Sequence, residues 1–293
     1  MENNKHIIEL SKLSQEDFRR WQLKLLEILV YFRDFCVEHN LKFCVAAGTC
    51  LGAVRHKGFI PWDDDVDVIM PRDDYDKLFD LWEKYADKNK FLCCKTTEKQ
   101  SIGFPMMVIR NVNTTCIYEH SKDWDICQGL KIDVEHFDAV PKGNLSKFYQ
   151  KTCAKALALF RAQRVPNGKS NFVKLTSKLI LTVFSSPRIN YKISSFLEYQ
   201  IKRFDMNNAE YVRYLAGRPI KKDLFDNLIW VDFENSTMPI PQNYHEYLSI
   251  QYGNYMQLPP IDKRKPITKC LFYDLDNSYL KYKGIYYCTK NNK

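Results

Sequence analysis

The sequence predicts an α+β protein, a mixed sheet with flanking helices followed by a helical C-terminal extension. Three observations carry that reading. Apolar residues recur at helical spacing over residues 14–39; two short strand patterns, 43–47 and 63–70, lie on either side of a glycine-bearing turn; and beyond Pro141 the chain changes to helical periodicity. At 293 residues the chain is long enough for one large core or a core with an appendage, and the change of pattern divides it into 1–145 and 146–293.

In the first helix Trp21, Leu25, Ile28, Leu29, Phe32, Phe35 and Cys36 fall on one face, with Ser14 as the cap and acids in the first turn. The strand at 43–47 is a run of apolar residues, which predicts burial on both faces. It ends at Gly48-Thr49, where Thr49 is expected to cap a short helix through Ala53, and residues 55–61 read as a loop. Residues 63–70 then alternate, with Asp63, Asp65 and Asp67 on one face and Asp64, Val66 and Val68 on the other. Pro71 ends that strand. Residues 72–88 read as a helix, 91–118 as a meander of short strands, and 130–134 as a strand that sets Asp133 opposite Ile132 and Val134. Helices are predicted over 145–163, 172–184 and 191–205, followed by short strands and turns and a helix over 244–252; residues 289–293 are expected to fray.

With 45% hydrophobic and 14% aromatic residues, 10 glycines and 12 prolines, the composition is that of a packed globular protein, which excludes disordered and fibrous classes. The net charge of +9 favours acidic partners such as nucleotides, phosphorylated glycans, nucleic acid or an anionic membrane, and is equally consistent with plain solubility. The ten cysteines show no CxxC pair and no zinc-ligand spacing, so reduced thiols and a cytoplasmic compartment are expected. The first twelve residues lack the apolar core of a signal peptide, and no apolar run reaches the ~18 residues of a spanning helix. Residues 175–184 come nearest; broken by Lys178, they read as a buried or interfacial helix.

The chemistry concentrates in residues 46–70, AAGTCLGAVRHKGFIPWDDDVDVIM. Aspartates spaced one apart on a strand present carboxylates about 5 to 7 Å apart along one face, which suits oxygen coordination of magnesium or manganese. Asp65 and Asp67 form that pair, Asp133 is the candidate third ligand and proton acceptor, and Asp63 orients the site from its edge. Gly48 lets backbone approach a ligand, and Thr49 with the amides after it would hold a phosphate. Arg55, His56 and Lys57 supply donors for a pyrophosphate, although a solvated loop and a packed histidine are their simpler readings; Trp62 and Arg110 complete the donor-binding set. A lone DxD is more often a solvated edge. The crowding of four aspartates beside Trp62 and Val66, after a strand ending in Gly-Thr, is what points to catalysis.

Strand, Gly-Thr, helix, a strand with two acids and later a third acid is the logic of the nucleotidyltransferase fold. The run Gly48-Thr-Cys-Leu-Gly-Ala-Val-Arg-His-Lys-Gly-Phe-Ile-Pro-Trp-Asp-Asp-Asp-Val-Asp-Val-Ile-Met-Pro-Arg72 closely resembles the LicD family of phosphocholine transferases, which includes the fukutin-related proteins. Ile132-Asp133-Val134 with Asp138 and Pro141 resembles the family's second acidic motif. Phe233-Glu234, residues 239–241, Tyr252-Gly253-Asn-Tyr-Met256 and Leu258-Pro-Pro260 with Arg264 resemble its C-terminal signature, so 146–293 is expected to join a helical region to that signature, packed on the core. Glu135 and His136 stand where the family tends to have an aromatic and a proline, and the histidine-rich stretch often found after the terminal arginine is not evident in the sequence.

The resemblance implies transfer of a phospho-alcohol, typically phosphocholine, from CDP-choline or another CDP-alcohol to a hydroxyl of a cell-surface glycan, lipid-linked glycan or teichoic acid precursor. Asp65, Asp67 and Asp133 would then hold one or two magnesium ions on the donor pyrophosphate, and cytidine monophosphate would leave. A quaternary ammonium requires an aromatic cage, for which Trp62, Tyr252 and Tyr255 are the candidates, with core aromatics as the simpler reading. Two alternatives stay open: a nucleotidyltransferase on a glycan or nucleic-acid acceptor, and a non-catalytic protein that binds an anionic ligand. No clear pattern of interleaved aromatics and arginines is present, which disfavours nucleic acid. The basic stretch 147–222 reads as a solvated helical face over the sheet, or else as a dock for a phosphorylated or lipid-linked acceptor, a peripheral contact at the inner face of the membrane.

Overall fold

A short strand, β1 (Ile8–Glu9), precedes the long helix α1 (Gln15–Glu38) in this computed structural model, which describes residues 7–289 except 167 and 169. Expected fraying at 290–293 therefore lies outside the described residues. The Ser14 hydroxyl caps α1 by accepting from the Asp17 amide at 3.0 Å, and the predicted apolar stripe from Trp21 to Cys36 is buried.

The chain continues through β2 (Cys44–Val45), α2 (Ala47–His56), β3 (Asp67–Pro71), α3 (Arg72–Tyr85), β4 (Phe91–Cys94), β5 (Met107–Asn111), β6 (Thr115–Ile117) and β7 (Lys131–Ala139). Three helices follow, α4 (Asn144–Ala162), α5 (Asn171–Val183) and α6 (Pro187–Lys202). The last third holds β8 (Tyr211–Arg213), β9 (Ile220–Lys221), the hairpin of β10 (Leu228–Phe233) and β11 (Ser236–Pro241), α7 (Tyr244–Tyr252), β12 (Lys269–Cys270) and β13 (Phe272–Asp274). The expected α+β class, a mixed sheet with flanking helices, is what forms. Its seven-stranded sheet runs β2-β3-β7-β5-β4, with β8 on the far end of β7 and β9 beside β8. Only β3 and β7 of these strands pair in parallel, with Asp67 opposite Asp133 and Ile69 opposite Glu135.

That register decides the two faces of the sheet. Val68, Met70, Ile132 and Val134 point into the main apolar core with α1. Residues Phe233, Met238, Ile240, Tyr247 and Leu248 of β10, β11 and α7 belong to the same core, which ties the end of the chain to its beginning. The alternate positions, Asp67, Lys131, Asp133 and Glu135, share the opposite face.

Several boundaries differ from the sequence expectations, for identifiable reasons. The first strand shortens to Cys44–Val45 because the chain turns into α2 at Ala47, whose φ is +44°. Thr49 is not the cap of α2; it lies inside the helix, and its hydroxyl accepts from the Asp67 amide at 3.0 Å. Arg55 and His56 form the last turn of α2 rather than a loop. The second strand begins only at Asp67, because side chains of α1 take the carbonyls before it: Trp21 Nε1 donates to Asp64 O at 2.9 Å and Gln22 Nε2 to Asp63 O at 3.0 Å. Strand β7 runs on past Val134 to Ala139, since β8 pairs its far end.

A buried ion network closes the outer edge. Arg72 Nε and Nη2 donate to Asp138 at 2.7 and 2.8 Å, and Nη1 donates to Glu198 at 2.9 Å, which is also bound by Arg161. These contacts join α3, β7, α4 and α6. Burial alone would raise the Asp138 carboxyl, but His136 and Arg72 override it and hold it well below the usual carboxylate range. All ten cysteines are free, and among the described residues no helix is long and apolar enough to cross a membrane.

Candidate active site

Asp67 opens β3 and faces Asp133 across the parallel ladder, while Asp63 and Asp65 reach the same side from the segment before the strand. Asp64 turns the other way. Its Oδ2 accepts from the amides of Ile267 and Thr268 at 2.7 and 2.8 Å, and its Oδ1 from the Thr268 hydroxyl at 3.1 Å, so this aspartate anchors the loop. The alternation read from the sequence is thus kept by side-chain contacts where no strand exists to impose it.

Gly48 sits where the acids meet α2. A Cβ there would come within 2.7 Å of Asp63 Oδ2, so only glycine lets this carboxylate lie against the first turn of the helix. Burial, then the neighbouring aspartates, pushes Asp63 and Asp67 up to about 8, and raises Asp65. Glu135, one step along the same face, is pushed up to about 9 by burial and then by Asp67 and Asp133. Among the described residues the cation hydrogen-bonded to this group is Lys131, whose Nζ donates to both oxygens of Asp133 at 2.6 Å.

Such a set of hard oxygen donors with excess buried negative charge fits a divalent cation in its chemistry. As arranged, no three His, Cys, Asp or Glu side chains among the described residues converge to hold one, and Lys131 occupies both oxygens of Asp133.

Two clefts flank the acids. The first, about 470 Å³, is lined by Gly48, Arg55, Trp62, Tyr252, Tyr255 and the turn at Pro259-Pro260. In it Arg55 Nη1 donates to Tyr255 O at 2.6 Å, and the Arg264 guanidinium stands 5.7 Å from the centre of the Trp62 ring. The three aromatic cage candidates therefore share one cleft. His56 beside it is pushed down by burial and by Arg55. Lys57 is exposed, in the left-handed region at φ +58°, and its carbonyl accepts from the Glu234 amide at 2.7 Å. The second cleft, about 570 Å³, lies past Asp65 and is lined by Lys131, Phe104, His120, Arg164 and Lys269. Lys131 Nζ stands 4.7 Å from the centre of the Phe104 ring, and burial with Arg164 pushes His120 down to about 4.

Of the sequence candidates, Gly48, Thr49, Arg55, Trp62, Asp63, Asp65, Asp67 and Asp133 come together around the acids and the first cleft, with His56 and Lys57 at its margin. Arg110 does not. It is 1% exposed, its Nη1 donates to Gly129 O at 2.6 Å, and its guanidinium stands 5.6 Å from the centre of the Phe104 ring, outside the lining of the first cleft, so it lies apart from the other members of the donor-binding set. Lys131 was missed; a lysine two residues before Asp133 on an otherwise apolar strand is the signal that marks it.

The profile of the LicD/FKTN/FKRP nucleotidyltransferase domain matches residues 40–124, a segment that holds α2, β3 and all four aspartates of the loop. The lipopolysaccharide cholinephosphotransferase LicD of Haemophilus influenzae is 28% identical over 266 residues, covering 85% of this chain and 94% of that protein. This chain is thus similar to the LicD family in its aspartate-bearing segment and to one LicD transferase over most of its length. Two uncharacterized proteins are similar over shorter stretches: one of Rickettsia prowazekii, 34% identical over 21% of this chain and 26% of that protein, and one of Rickettsia typhi, 38% identical over 18% and 17%. The profile match ends before β7, so Asp133 and Lys131 join the site from outside the matched segment.

Proposed function

We propose that this chain is a LicD-type enzyme that transfers a phospho-alcohol, phosphocholine first among them, from a CDP-alcohol to a hydroxyl of a glycan acceptor carried at a membrane surface. The observation that carries this reading is the group of half-buried aspartates with unmatched charge at the mouth of a cleft lined by arginine and aromatic side chains. The relative named as a lipopolysaccharide cholinephosphotransferase supports the choice of group and acceptor class.

In this reading the donor pyrophosphate lies beside Gly48 at the start of α2, where the helix end and Arg55 favour negative charge. Trp62, Tyr252 and Tyr255 take the quaternary ammonium; Trp62 already carries a cation on its face, from Arg264. Asp65 and Asp67 would hold magnesium or manganese, with Asp133 joining them only once Lys131 leaves its carboxylate, and the ion would supply charge neutralisation at the phosphoryl oxygens. Without the ion Lys131 keeps Asp133 oriented. The acceptor hydroxyl gives its proton to Asp133 or its neighbour Asp65, its oxygen bonds to the phosphorus that bears the alcohol, and the bond from that phosphorus to the bridging oxygen breaks, releasing cytidine monophosphate.

The test is incubation with magnesium and a panel of CDP-alcohols, read as release of cytidine monophosphate and as mass gained by the acceptor. Choline should give the fastest release. Pyrophosphate release from a nucleoside triphosphate, with the nucleotide retained on the acceptor, would instead establish a nucleotidyltransferase.

A further inference from the structure

Among the described residues nothing covers one face of helix α5. Of its 13 residues only Ser177 is buried, while Phe172, Leu175, Leu179 and Val183 are each more than 60% exposed. At 3.6 residues per turn these four fall within about 80° of one another, on the side of the helix away from Ser177. The stripe points outward. A ring contact between Phe160 and Phe184, with centres 6.0 Å apart, ties the C-terminal end of the helix to α4.

Charge says what covers it. Between Asp138 and Glu198 the chain holds eleven lysines and arginines and not one aspartate or glutamate, although the whole protein has 35 acids. Lys178 borders the stripe on α5 itself, with Lys174 about 40° further round the helix, and Arg188 and Lys192 follow on α6. An acid-free stretch of this kind is complementary to a negatively charged plane, and an apolar stripe bordered by lysine is how a helix lies in a lipid interface. At about 20 Å, α5 is too short to span a hydrocarbon core of about 30 Å.

We infer that α5 is an in-plane membrane helix: its apolar stripe inserts at the headgroup boundary of an anionic leaflet, and the cations of α4–α6 hold the surface there. The inference names the surface behind the membrane contact in the proposed function, but vesicle binding is read without turnover, so the two can fail separately.

The full-length protein should sediment with phosphatidylcholine vesicles containing about a third phosphatidylglycerol and not with pure phosphatidylcholine. The double variant Leu175→Glu, Leu179→Glu should bind the anionic vesicles at least about tenfold more weakly, and Lys174→Glu, Lys178→Glu about tenfold, each with an unchanged melting temperature because all four side chains are exposed. Phe172→Trp should shift its emission to the blue on those vesicles. Equal binding by the leucine variant, or no binding by the unaltered protein, overturns the inference. So does a dimer that the leucine variant dissolves into monomers, which would assign the stripe to a second copy of the chain.

Discussion

The aspartate group and the Arg72 network are built from the same materials and behave in opposite ways. Both hold buried carboxylates on β3, β7 or the segments beside them. In the network each acid has a guanidinium within 3 Å, and Asp138 is held below its ordinary range. Around Asp67 the nearest charges are other aspartates, and the carboxyls rise to about 8. The difference teaches that burial does not decide the role of an acid; the partner does. Matched charge fastens α3, β7, α4 and α6 together, whereas unmatched charge is destabilising in the free protein and is retained where a ligand can relieve it.

The comparison can be broken most sharply at its unmatched side. Asp67→Asn should lower transfer by at least about 1,000-fold, or ~4 kcal/mol of barrier, while the melting temperature stays level or rises. Initial rates and calorimetry on one preparation decide it, and a folded variant with full activity would remove Asp67 from the chemistry. On the matched side, Arg72→Met should destabilise by about 3–5 kcal/mol, because Asp138 and Glu198 stay buried without their partner. Denaturant unfolding reads this, and a loss below about 1 kcal/mol would show that the network is not structural.

A smaller effect separates the two regions by pH. Carboxyls raised in the folded state bind protons that the unfolded chain has released, so their contribution is complete below about pH 4 and is lost as pH climbs through about 8. Asp138, being depressed, gives stability that is lost only as pH falls below the ordinary carboxylate range. Between pH 5 and 8 in chelator the melting temperature should therefore fall, by about 5 °C, and added magnesium should flatten the slope. A flat profile in chelator would mean that the aspartates are not strained by one another. The smallest effect is expected at Glu135, pushed up to about 9 and hence neutral near pH 7. Glu135→Gln should change stability by less than about 0.5 kcal/mol at that pH, and thermal unfolding at pH 7 checks it.

What was legible in the sequence was whatever repeats locally. The stripe of α1, the cap at Ser14 and the alternation of Asp63, Asp65 and Asp67 are short-range patterns, and the structure keeps all three. What depended on distant partners was not legible. Thr49 left its capping role because Asp67, eighteen residues on, offers an amide that needs an acceptor. Arg110 reads as a free donor until the carbonyl of Gly129 takes it. Lys131 could have been read, since a lysine on the same strand face as Asp133 and two residues away has few other places to put its charge.

Asp64 is held by residues 203 and 204 positions further along the chain. A ribosome therefore delivers the aspartates long before it delivers the amides that fix their loop, and contacts of such separation close slowly. Until Ile267 and Thr268 arrive, the segment is held from one side only, by Trp21, Gln22 and Thr49, and Asp64 lacks its three later donors. The frame of the candidate site is thus closed only after Thr268 is made, although its aspartates come early in the chain.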